Sequence, residues 1–115
     1  MQSSDLMNCR LVYVITPSHE EALKVGRKIL EARLAACANI LAPIHSVYWW
    51  QDRLEEGHEV ALLLKTRGDL VDQIVTTVQN LHSHACPCVI ALPIVAGNPA
   101  FLQWITTETQ MVAAP

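Results

Sequence analysis

The chain has 115 residues, 51% of them hydrophobic and only 17% charged, with a formal charge of −3. One domain of that length buries a modest core, so this much apolar side chain predicts burial shared between subunits. The acidic balance without a basic run excludes a phosphate-reading surface, and no apolar run reaches the ~18 residues of a membrane span.

Residues 1–9 read as a flexible polar tail. The opening MQSSDLMNCR lacks a basic start followed by an apolar segment, so no secretory signal and a cytoplasmic location are expected. Leu11 to Ile15 (LVYVI) is a β-branched apolar run and predicts a strand. Thr16-Pro17-Ser18 breaks it. Ser18 and Glu21 have the spacing of a capping box, which satisfies two free N–H groups at a helix start. The helix is predicted to run to about Ala36, with Ala22, Val25, Ile29, Ala32 and Ala36 on one face.

From Ala38 to Thr66 the pattern is strand-like, with Pro43 marking an edge or a bulge. Ser46 to Gln51 and Glu59 to Thr66 predict the arms of a long hairpin, with Asp52 to Gly57 as its charged turn. Gly68-Asp69 opens a second helix whose apolar positions are Leu70, Val71, Ile74, Val75, Val78 and Leu81. Cys88 to Ile94 predicts a last strand, and Gly97-Asn98-Pro99 leads into a closing helix from Phe101 to about Met111. The order β-α-β-β-α-β-α predicts an α+β ferredoxin-like sandwich, with an antiparallel sheet, two helices on one face and a short C-terminal helix. A single domain is expected over residues 10–112.

Several stretches resemble the CutA divalent-cation-tolerance family. They are Leu34 to Ile40 (LAACANI), Ser46 to Trp50 (SVYWW), Glu59 through Lys65-Thr66, His82, Ile90 to Ile94 (IALPI) and Phe101 to Ile105 (FLQWI). The resemblance implies a ferredoxin-like subunit, a homotrimer built by strand pairing, and a link to tolerance of copper and other divalent cations without enzymatic activity. The trimer it implies is similar to that of the PII signalling proteins, so the alternative is a regulatory module holding a small ligand between subunits. Members usually read His-Pro-Tyr-Glu, a variable residue, Pro-Glu. Here His82-Ser83-His84-Ala85-Cys86-Pro87-Cys88 stands instead, so a carboxylate site does not carry over. Some members place a cysteine late in the first strand, where this chain has Ile15.

The departure supplies the candidate site. Imidazole and thiolate ligands suit copper(I) or zinc, so His82, His84, Cys86 and Cys88 are the expected metal ligands, with Glu59 completing the set from a facing strand. No resident cofactor is required; the metal is the ligand. The four share one parity, but alternate strand residues stand ~6.6 Å apart, so one ion reaches several only if the segment bends, as at Pro87. The competing reading puts Cys88 with Ile90 and Leu92 on a core face. Cys9, Cys37, Cys86 and Cys88 do not form a disulfide framework and are expected as free thiols. A structural Cys37 is expected because a helix C-terminus disfavours a thiolate. Adjacent Trp49 and Trp50 should face opposite sides, one buried within the subunit and one meeting a partner.

Overall fold

The computed structural model describes residues 8–41 and 43–110. In chain order it contains β1 (Cys9–Thr16), α1 (His19–Glu31), β2 (Cys37–Ile40), β3 (Ile44–Trp50), β4 (Arg53–Arg67), a 3-10 turn (Gly68–Leu70), α2 (Val71–Leu81), β5 (Val89–Pro93) and α3 (Pro99–Glu108). The fold is the ferredoxin-like α+β sandwich. Its sheet is antiparallel in the order β2-β4-β1-β5, and β3 pairs with the first half of β4. The predicted tail outside Asn8 and Cys9 lies beyond the described residues. Cys9 itself belongs to β1 and is fully buried.

Strand alternation decides which face is covered. Val12 and Val14 of β1 and Val60, Leu62 and Leu64 of β4 point to one side, where Ala22, Val25 and Ile29 of α1 and Ile74 and Val78 of α2 close over them. Fully burying each such Val, Leu or Ile contributes roughly 1.5–3 kcal/mol. Cys9 has the opposite parity. It is buried in a second cluster by Leu102 and Ile105 of α3, with Ala36 and Ile94 packed alongside. Helix α3 therefore covers one end of the other face, where Lys65 Nζ also lies 5.6 Å from the Phe101 ring centre. The rest of that face carries Tyr13, Ile15, Ile90 and Leu92 with no layer over it among the described residues, and Ile90 is 53% exposed.

Several expectations from the sequence are corrected. Helix α1 stops at Glu31 rather than Ala36, because Arg33 takes a left-handed conformation (φ 60°). Leu34 N–H donates to Ile29 O and Arg33 N–H to Leu30 O, the paired bonds that close a helix end with glycine's usual role filled by arginine. The Arg33 guanidinium is held by Glu108 at 2.8 Å, and Gln110 N–H donates to Arg33 O, so this turn is tied to the end of α3. The closing helix spans Pro99–Glu108, and the Met111 end expected for it lies outside the described residues.

The hairpin differs more. Residues Arg53 to Gly57 are strand, and the turn is only Gln51-Asp52, both with positive φ (50° and 63°). Two such residues make the turn whose twist matches the flanking strands, which pairs Trp50 directly with Arg53. The strands thus run on past the helix layer, in a molecule measuring 48 × 29 × 24 Å. Nothing among the described residues covers the hairpin tip. Both Trp49 (72% exposed) and Trp50 (52%) are open, so neither indole is buried within the subunit as expected.

Candidate functional site

The segment 82–88 begins as α2 ends and runs irregularly, not extended, to β5. Its first residue turns inward: the His82 side chain is 1% exposed. Its Nε2 lies 2.8 Å from Ile15 O, and its Nδ1 lies 3.0 Å from the His84 backbone N. A carbonyl only accepts and an amide N–H only donates, so the ring carries its proton on Nε2 and accepts at Nδ1. Glu21 Oε2 is 3.5 Å from the same Nδ1 and accepts from Ser83 N–H at 3.2 Å. Ser18 Oγ does cap α1 by accepting from Glu21 N–H, but the Glu21 carboxylate reaches this segment instead of completing a capping box.

Both ring nitrogens of His82 are thus engaged within the chain. His84, Cys86 and Cys88 are exposed, so the four do not point to one side. The common parity failed because the segment is not a strand. Cys88 is not on a core face either: with Ile90 and Leu92 it lies on the uncovered face, while Val89 packs against the core. Partial burial of its sulfur pushes the Cys88 thiol pKa up, and the negative Glu59 adds to this, against a smaller opposing hydrogen bond from the Ile15 backbone. A thiol held protonated is a poor nucleophile.

These groups border an open cleft of about 940 Å³. Tyr13 and Ile15 of β1 form its floor. Ile44, Tyr48 and Trp50 of β3, with Glu59 of β4, form one wall, and residues 82–88 form the other. All five residues expected at the site, Glu59, His82, His84, Cys86 and Cys88, thus border one space. Among the described residues, however, no three His, Cys, Asp or Glu side chains converge on a point that would hold an ion as they stand. All four cysteines are free thiols. Cys37 is half-buried at the start of β2, well past the end of α1. It faces Lys65, whose Nζ is 3.8 Å from Cys37 Sγ and 2.8 Å from Asn39 Oδ1, so a helix terminus does not set its environment.

Tyr13, Ile15 and Glu21 were not singled out as site residues from sequence. The continuous run LVYVI did carry a signal for the first two, since a strand apolar on both faces has a second surface to cover. Glu21 carried a single signal, capping, that concealed its second role.

The CutA1 divalent ion tolerance protein model matches residues 10–108. The Archaeoglobus fulgidus divalent-cation tolerance protein CutA is 40% identical over 94 residues, covering 82% of this chain and 91% of the relative. Mouse protein CutA is 37% identical over 101 residues, covering 88% of this chain but only 57% of the mouse protein. The solved structure of the Archaeoglobus fulgidus protein, described there as periplasmic, superposes with a TM-score of 0.85 at 37% identity, over 89% of this chain and 99% of that one. The match in sequence spans nearly every described element, and the match in structure is of the same extent. The chain belongs to the CutA1 divalent ion tolerance family.

Proposed function

We propose that this chain is a non-enzymatic cation-tolerance protein that works as a cytoplasmic homotrimer and binds a soft metal ion in the cleft. The observation that carries the reading is the uncovered sheet face continuing into the bare hairpin. Ile90, Leu92, Tyr48, Trp50, Trp49 and Leu54 are each more than two-fifths exposed. Among the described residues, the edge of β4 opposite β3 is also unpaired before Val60, where the β1 ladder ends. Apolar faces and open edges of this kind are closed in stable proteins by further copies of the chain.

The metal reading rests on donor chemistry. Cys86 and Cys88, two apart on an exposed segment, suit copper(I) or zinc, with His84 and Glu59 at the border of the same cleft. His82 serves by holding the segment against β1. Convergence of the donors requires the segment to bend at Pro87 when the ion binds. The four free thiols fit a reducing compartment. The raised thiol pKa of Cys88 disfavours nucleophilic catalysis, and an ion binding there must displace the thiol proton. A second reading, a regulatory module holding a small ligand, is favoured by cleft size alone, since about 940 Å³ lies within the range of small-molecule sites.

Calorimetric titration with copper(I) and zinc under reducing conditions tests the proposal. The parent should bind, and Cys86→Ser with Cys88→Ser should abolish copper(I) binding. Equal copper(I) affinity in both would refute the thiol site.

A further inference from the structure

The hairpin carries a second group of ligand-type side chains, apart from the cysteines and at the edge of the cleft, which His45 also borders. His45 of β3 stands directly opposite His58 of β4 in the ladder. Their rings meet edge to face, with centres 5.1 Å apart and planes at 73°. Glu56 lies two residues before His58, so it projects from the same face of β4, and its Oε2 is 2.6 Å from His45 Nε2. Alternation places all three on the strand face opposite Glu59 and Ser46, although His45 also borders the cleft. The pair is open to solvent, with the His45 and Glu56 side chains 52% and 62% exposed.

Stability does not explain this cluster. An exposed ion pair contributes little, and two imidazoles placed opposite each other repel when both are charged. Chemistry explains it better. Two imidazoles and a carboxylate form a donor set for borderline divalent ions. Donors on one tetrahedral zinc, at bond lengths of 2.0–2.2 Å, stand ~3.4 Å apart. His45 Nε2 and Glu56 Oε2 therefore need to separate by only about 1 Å to admit an ion. The exposed His58 ring, its centre 5.1 Å from that of His45, must also swing toward its cross-strand neighbour. The two-residue turn fixes the register of the ribbon, so the backbone positions are preset.

We propose that His45, His58 and Glu56 form a second cation site, for a borderline divalent ion of the zinc type, contained within one chain and independent of the cysteines. The ion takes the place of the hydrogen bond between His45 Nε2 and Glu56 Oε2, with the imidazole proton carried on Nδ1.

Cobalt(II) and zinc(II) titrations of the Cys86→Ser, Cys88→Ser protein test it, because no thiol of the cleft segment remains. One site per chain should persist, with a cobalt(II) absorption spectrum free of sulfur charge-transfer bands. Adding His45→Ala or His58→Ala should weaken it by more than about tenfold, the least that even an outer partner of a metal ligand supplies. Glu56→Gln should weaken it less. Unchanged affinity in both histidine variants overturns the proposal, as does a sulfur band in the double cysteine variant, which would place the ion on Cys9 or Cys37 instead. A readout free of hairpin variants is the imidazole NMR spectrum of the parent. Zinc should shift the His45 and His58 ring signals together, and signals left in place would also overturn the site. Loss of copper(I) binding in the cysteine variant alone bears only on the cleft.

Discussion

The two halves of β4 are one continuous strand in two environments. From Val60 to Arg67 it has β1 on one side and β2 on the other, and Val60, Leu62, Leu64 and Thr66 lie under the helices. From Arg53 to Glu59, among the described residues, it has only β3, no helix covers either face, and Leu54 is 61% exposed. The second half is completed within the chain. The first half has comparable apolar content around it, in Val47, Trp49 and Trp50, but nothing of its own to bury it against. Burial in the one half fixes the fold, whereas exposure in the other marks the surface left for assembly.

The largest effect expected from this contrast comes from Leu62→Ala. Leu62 is fully buried between the sheet and α1, so truncation should cost about 2–5 kcal/mol, read from denaturant unfolding. Leu54→Ala on the same strand should leave the fold of the chain intact. An equal loss of secondary structure in both variants would break the comparison.

Next in size is the paired variant Trp49→Ala, Leu54→Ala. It should dissociate the assembly at micromolar concentration while far-UV circular dichroism stays native. In the parent, the melting temperature should rise with protein concentration, as mass action requires of a coupled folding and association. A melt independent of concentration would count against a shared core.

His82→Ala should cost about 1–3 kcal/mol, because the buried Ile15 carbonyl and the His84 N–H both lose a partner. It should leave copper(I) affinity near that of the parent, which would separate an anchor from a ligand. The smallest effect concerns Cys88. Burial first and Glu59 second hold its thiol pKa up, so Glu59→Gln removes one raising influence and increases the thiolate fraction at neutral pH. Alkylation of Cys88 at fixed pH should become faster in that variant. An unchanged rate would mean that the two groups do not interact.

Much of the helix-covered side was legible in sequence, because period-3.6 and period-2 patterns report burial within one chain. Ile74 and Val78 fell where the helical period put them, even though Val and Thr are weak helix formers; Thr77 satisfies its hydroxyl by donating to Gln73 O. The hairpin tip was less legible. DRLEEG reads as a turn because it is charged, but charge marks exposure, and a two-stranded ribbon in solvent is exposed without turning. Arg33 hid a helix end for a related reason, since glycine is the residue expected in that conformation and the anchors of arginine, Glu108 and Gln110, lie far along the chain. At the candidate site, residue types were readable and geometry was not. His82, His84, Cys86 and Cys88 share a parity that matters only in a strand, and Glu21, which helps to fix that segment, is remote in sequence.

The central claim is that the open sheet face and the hairpin are covered by copies of this chain. Sedimentation equilibrium of the parent protein, without added metal, tests it most directly. The account predicts a single species of three times the 12.8 kDa chain mass at micromolar concentration. A stable monomer, with Trp49, Trp50 and Ile90 left in solvent, would contradict it.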